Sequence, residues 1–180
     1  MTRDQNGTAR RRFVQLLGGG TVLGIGGSTA TATHGDRDNG AGTHSKTRDD
    51  DSGLVTLESG ADFETTVARV EPALEERDLL LVTSVDHAAN ADTVGAELPP
   101  TTLFLFGNPA VGTPLMQASR SVAIDLPQKL LVWAADEDVY VTYNDPHYLA
   151  RRHGLEGTDE RIAGVAEALS DLAHAVANDG

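Results

Sequence analysis

The chain has 180 residues, enough for one domain with extensions, and sets 14 basic against 27 acidic residues for a net charge of −13. Four arginines fall in the first 32 residues, so the remainder carries 10 basic and 26 acidic residues, a balance of −16 that repels phosphate backbones and anionic headgroups and argues against nucleic acid as a partner. Cysteine is absent, which removes disulfides, thiol catalysis and lipidated cysteine.

Residues 1–32 read as a twin-arginine export signal. Arg10-Arg11-Arg12-Phe13-Val14 leads into the uncharged, glycine-rich stretch Leu16 to Ala32, too short and too weakly apolar for a membrane span of about 20 residues. Ala30-Thr31-Ala32 is an A-x-A-like cleavage site, with cleavage expected after Ala32. The expected consequences are the twin-arginine export machinery as a partner, a secreted or cell-surface location, and no stable membrane span in the mature chain.

Residues 33–52 are polar, Gly-rich and nearly free of large apolar groups, so they cannot offset their ordering entropy and are expected to be a disordered linker. His34 and His44 sit in it, ten residues apart, and make no metal motif. A single α+β domain is expected over 53–177. Leu54 to Ser59 alternates as an edge-like strand. Asp62 should cap a helix to about Arg77, with Phe63, Val67, Val70 and Leu74 on one face and Pro72 interrupting it. Leu79 to Asp86 reads as a strand, whereas Ala88 to Glu97 shows no clear pattern.

Thr101 to Phe106 is apolar on both faces, hence a central strand, stopped by Gly107-Asn108-Pro109. A short helix is expected over Gly112–Ser119 with Leu115 and Met116 inward, and a brief strand over Val122–Ile124. Lys129–Ala135 and Val139–Tyr143 should form a hairpin round Asp136-Glu137-Asp138. Asn144-Asp145-Pro146 caps a helix through Arg152, closed by Gly154. The last helix, capped by Thr158, carries the stripe Ile162, Val165, Ala166, Leu169, Leu172, Ala173 and Val176. The expected core is Phe63, Val67, Leu81, Val82, Leu105, Phe106, Leu131, Val141, Ile162 and Leu169. Strands between a first and a last helix argue for α+β, an antiparallel sheet with helices on one face. No dinucleotide, Walker or nucleophile-elbow fingerprint is present, and no cofactor is indicated.

Several stretches in order resemble the domain-of-unknown-function family 302: Phe63-Glu64-Thr65-Thr66, Asp86-His87-Ala88, Leu98-Pro99-Pro100-Thr101, Phe106-Gly107-Asn108-Pro109, Gly112-Thr113-Pro114-Leu115-Met116, Asp125-Leu126-Pro127-Gln128-Lys129, and Tyr143-Asn144-Asp145-Pro146 with Leu149 and Arg152-His153. The resemblance spans about 54–155 and implies a curved antiparallel sheet gripping helices in a TATA-binding-protein-like arrangement, with no activity attached. Gln128 departs from the family, which tends toward an apolar residue there.

Two lysines against twelve arginines, and Asp over Glu by 17 to 10, mark a halophile's surface, hydrated by short carboxylates where molar salt screens charge within ~3 Å. Four residues stand out as candidate ligand contacts: His87, whose neighbour Asp86 would favour its charged form; Asn108, a turn former with a donor and an acceptor; Asp125, before Leu126-Pro127, an exposed carboxylate at a sheet mouth or a turn acceptor; and Lys129, a rare lysine suited to pair with Asp125 or an anionic ligand. His87, Asn108 and Asp125 are expected within ~10–12 Å of one another, as one pocket would require. His147 and His153 lie about 240° apart round a helix and do not chelate one ion, and no metal site is expected. Trp133 reads as core. The favoured function is a small-molecule-binding module; the alternatives are an acid–base enzyme using Asp86, His87, Asp125 and Lys129, or a protein-interaction domain.

Overall fold

The computed structural model describes residues 52–155 and 157–178, together with the backbone of Thr47–Asp49. The expected signal peptide, with Arg10, Arg11 and Ala32, and most of the expected linker lie outside the described residues. Thr47–Asp49 falls inside that linker stretch and forms a three-residue strand, β1, antiparallel to its neighbour.

The elements then follow as β2 (Leu54–Glu58), α1 (Phe63–Ala68), α2 (Val70–Glu75), β3 (Leu80–Asp86), α3 (His87–Asp92), β4 (Thr101–Gly107), α4 (Pro109–Ala118), a 3-10 turn (Arg120–Ile124), β5 (Gln128–Ala135), β6 (Asp138–Asn144), α5 (Pro146–His153) and α6 (Asp159–Ala177). The strands form one sheet in the order β1-β2-β6-β5-β4-β3, and every pairing is antiparallel. This is the α+β class that the alternation of patterns predicts.

Local chemistry sets the element ends. Asp62 accepts from the Thr65 amide at 2.8 Å and starts α1. Pro72 has no N–H to offer Ala68, and the expected single helix breaks at Arg69 into α1 and α2. Asp136, at φ 55°, opens the two-residue turn between β5 and β6. Asp145 accepts from the His147 amide at 2.9 Å to cap α5, and Gly154 closes it in the left-handed region at φ 61°. Thr158 precedes α6 as expected, but its hydroxyl donates to the Leu155 carbonyl at 2.7 Å instead of capping a helix amide.

One sheet face carries Val55, Leu57, Phe104, Phe106, Leu130, Val132, Val139, Val141 and Tyr143, packed against Val70, Ala73 and Leu74 of α2 and Leu169, Leu172, Ala173, Val176 and Ala177 of α6. A second cluster gathers Leu115, Val122, Leu155 and Ile162. Full burial of such a Leu, Ile or Val side chain contributes about 1.5–3 kcal/mol.

The expected core needs correcting in its strand residues. Phe106, Val141, Ile162 and Leu169 are buried, and Phe63 and Val67 pack against the core half-covered. Leu105 and Leu131 are only partly buried, because their cross-strand pairing places them on the opposite face from Phe104 and Leu130. Leu81 and Val82 are exposed, because β3 is an edge strand with a register shift between Leu81 and Thr83. Trp133 also faces away from the core; it stacks on Tyr140 with centroids 4.7 Å apart and donates to the Thr142 hydroxyl at 3.0 Å. Val122–Ile124 is a 3-10 turn, not a strand, and His87–Asp92 is a helix where no pattern was legible.

Candidate functional site

Between the two clusters lies a cavity of about 590 Å³. Its walls come from Leu79, Leu80 and Val82 beside the edge strand, Phe106 and Gly107 at the end of β4, α4 from Pro109 to Met116, the turn Ala123 to Gln128, and one face of α6. That face is Arg161, Gly164, Val165, Ala168 and Leu169, at the i, i+3, i+4, i+7, i+8 spacing of a helical stripe. Among the described residues that line it, side chains other than Asn108, Thr113, Gln128 and Arg161 are apolar, and Arg161 is the one that carries charge. A Cβ built on Gly164 meets no heavy atom within 4 Å, so the wall there is open space. Among the described residues, the Gln128 side-chain Oε1 is buried with no hydrogen-bond partner. The size and apolar lining suit a small ligand that leaves water.

The four candidate residues do not share one place. Asp86 pairs with Thr102 and Leu80 with Gly107, so His87 and Asn108 stand at opposite ends of the β3–β4 ladder, separated by about seven residues or ~23 Å of strand. The expected clustering of His87 with Asn108 is therefore wrong: a hairpin partner's two ends cannot meet. Asp86 caps α3, accepting from the Ala89 amide at 2.9 Å, and the register sets it opposite Thr102 and, one strand further, Val132, away from Lys129 at the start of β5. Asn108 caps α4 through Oδ1, accepting from the Ala110 amide at 2.9 Å, and lines the cavity. Gly107 permits no special approach, since a Cβ there would sit 3.9 Å from Pro127.

The turn after the 3-10 segment runs through a cis Leu126–Pro127 bond. Lys129 Nζ donates to the carbonyl oxygens of Asp125 at 2.7 Å and Pro127 at 3.0 Å, holding that turn against β5. Burial lowers the Lys129 pKa from the ordinary lysine value, with Asp125 opposing the shift. The Asp125 carboxylate has other partners. His153 Nε2 lies 2.6 Å from Oδ2 and Arg152 lies 3.3 Å from the same oxygen. The second nitrogen of His153 lies 2.9 Å from the Ser121 hydroxyl, which is 3.1 Å from that of Ser119. Ser121 and the His153–Asp125 pairing escape sequence reasoning, because 28 to 32 residues separate the partners and no local motif marks them. Among the described residues no group of His, Asp and Glu could hold a metal ion, and no helix is long and apolar enough to cross a membrane.

Residues 55–177 match the family described as "Domain of unknown function DUF302". The chain belongs to that family. A solved relative, the uncharacterized conserved protein DUF302 from Bacillus stearothermophilus, aligns with a TM-score of 0.62 at 16% identity over 67% of this chain and 95% of its own, a likeness of fold. Curated relatives carry a different description. "Fluoride-specific ion channel FluC 1" of Brucella suis biovar 1 (strain 1330) is 45% identical over 106 residues, 58% of this chain and 42% of the relative. "Fluoride-specific ion channel FluC 1" of Brucella abortus biovar 1 (strain 9-941) is 45% identical over the same length, 39% of that relative. The DUF302 chain thus spans about two fifths of the curated relatives it matches.

Proposed function

We propose that this DUF302 domain is exported and binds an apolar small molecule in the cavity between its two hydrophobic clusters. The observation that carries the reading is the 590 Å³ cavity itself, with Arg161 as the charged side chain among its described lining residues and an open wall at Gly164. An apolar ligand seated there would leave water and gain dispersion contacts with the apolar walls, which favours binding. Asn108 stays in the reading as a rim residue, and Asp125 and Lys129 as the residues that hold the adjoining turn; His87 leaves it. Native mass spectrometry of protein purified from its own host tests the binding, with a co-purifying apolar compound expected. Ligand-free protein that also fails to take up a neutral dye such as Nile red refutes it.

Export rests on Arg10, Arg11 and the Ala30-Thr31-Ala32 site. Changing both arginines to lysine should leave precursor inside the cell, and unchanged secretion overturns that half of the reading. The acidic, lysine-poor composition supports a saline environment. Far-UV circular dichroism should then show unfolding as salt falls from molar to millimolar, and full folding without salt refutes it.

The 45% identity to proteins named fluoride channels favours a second reading, an accessory domain of fluoride export. Deleting the gene should raise the host's sensitivity to fluoride; growth unchanged across a fluoride series rejects this reading.

A further inference from the structure

The geometry points to Ser121, His153 and Asp125 as a nucleophile, base and orienting carboxylate that hydrolyse neutral apolar carboxylic esters. Asp125 Oδ2 lies 2.6 Å from His153 Nε2, and an ionised carboxylate can only accept, so that nitrogen carries the proton. The tautomer leaves Nδ1 with a free lone pair, 2.9 Å from the Ser121 oxygen, and the hydroxyl donates into it. The imidazole is used the other way round from the usual serine hydrolase, where Nε2 faces the serine. The chemistry requires only that base and orienting group engage opposite ring nitrogens.

Burial is graded as a nucleophilic relay needs. The His153 and Asp125 side chains are 6% and 15% exposed, whereas Ser121 is open to solvent. Arg152, 3.3 Å from the same Asp125 oxygen, steadies the carboxylate. A purely structural tie between the turn and α5 would be complete at the Asp125–His153 pair. It gives no reason for the second ring nitrogen to be spent on an exposed serine.

In the step proposed, Ser121 Oγ bonds to the ester carbon as its proton passes to His153 Nδ1. The carbonyl electron pair moves to oxygen, where the Ser119 hydroxyl, 3.1 Å from Ser121 Oγ, is placed to donate. Collapse breaks the ester C–O bond, and the leaving alkoxide takes the proton from His153. Water repeats the cycle on the acyl-enzyme, giving acid and alcohol with Ser121 restored. Ala123 and the fully displayed Ile124, 74% exposed, follow Ser121 in the same turn and offer an apolar rest for the acyl group. The acidic surface selects against anionic esters.

The test pairs a neutral p-nitrophenyl ester with a fluorophosphonate probe, using the full chain. Peptide mass spectrometry should place one adduct on Ser121, and Ser121→Ala should abolish both adduct and turnover with melting temperature unchanged. His153→Gln should slow labelling by about 100-fold or more, the usual span of a general base. The chain has no cysteine, so Ser121→Cys creates a unique thiol. Iodoacetamide at pH 7 should alkylate it at least about tenfold faster than the thiol of Ser84→Cys on the exposed edge strand, because a neighbouring imidazole raises the thiolate fraction. No adduct on Ser121, or equal alkylation of the two thiols, overturns the assignment even if His153→Gln fails to fold. Labelling and alkylation at residue 121 need no occupant in the cavity, whose wall shares only Ala123 with this site, so they can be told apart from ligand binding.

Discussion

Gly164 is where the cavity can be filled without touching the core. It lies in the interior of α6, where glycine costs about 0.8–1 kcal/mol relative to alanine. A Cβ built there meets nothing within 4 Å, so Gly164→Ala should collect that gain without a clash, raising stability by up to about 1 kcal/mol and the melting temperature by roughly 4 °C. Gly164→Trp goes further. If 40 Å² of the ring settles on the apolar wall, at about 25 cal/mol per Å² it adds about 1 kcal/mol while occupying ligand space. Differential scanning calorimetry and Nile red fluorescence titration read the two effects separately. Wild type and Gly164→Ala should bind the dye alike, and Gly164→Trp should bind it at least about tenfold more weakly, a loss of about 1.4 kcal/mol. A destabilised alanine variant refutes the open wall. A tryptophan variant that binds as wild type refutes the cavity as the binding place.

Gly53 has φ 69°, and a Cβ there would run into the Tyr148 ring, so Gly53→Ala should cost at least about 1–3 kcal/mol by urea denaturation; an unchanged midpoint refutes the close packing of Tyr148. Leu172 is fully buried between α6 and the sheet, and Leu172→Ala should cost about 2–5 kcal/mol, with a loss below 1 kcal/mol showing α6 to be peripheral. The hydrogen bond from the Thr65 amide is the first cause that lowers the Asp62 pKa from 3.8. A carboxyl lowered in the folded state stabilises above its unfolded pKa and loses that contribution as pH falls through the folded one. The melting-temperature advantage of wild type over Asp62→Asn should therefore hold at neutral pH and shrink below pH 3.8, and a pH-independent difference refutes the charged cap.

The first and the last two helical regions were legible because their signals are local, whereas α3 and the 3-10 turn were not. Asp62, Asp145 and Gly154 act within one turn of themselves, and the Ile162 to Val176 stripe has a single period that only one burial pattern satisfies. Strand faces were harder. Thr101 to Phe106 is apolar at Leu103 and Leu105 as well as at Phe104 and Phe106, so alternation alone could not say which pair meets α6. Register decided it: Phe104 pairs with Leu130 and faces the helices, and Leu103 pairs with Leu131 and does not. The same absence of register allowed His87 and Asn108 to be drawn together, since a strand's two ends look alike until its partner is placed.

The candidate site was illegible for a different reason. Periodic patterns report where apolar groups are buried; they say nothing of where two buried groups fail to meet, and the cavity is such a gap, bordered by Phe106 and Leu169 of one cluster and Leu115 of the other. One residue did carry a readable hint. A glycine inside a 19-residue helix is a standing cost, and Gly164 sits between Arg161 and Ala168 on the stripe beside Val165. An alanine there would stabilise the helix and still leave the wall open, whereas a bulky side chain would reach into the volume. Asp125 was singled out for its place before Leu126-Pro127 at the start of a strand. Its partners came from the packing of the 3-10 turn against α5, which brings His153 to the Asp125 carboxylate and Ser121 to the other ring nitrogen of His153, across a stretch of chain no motif spans.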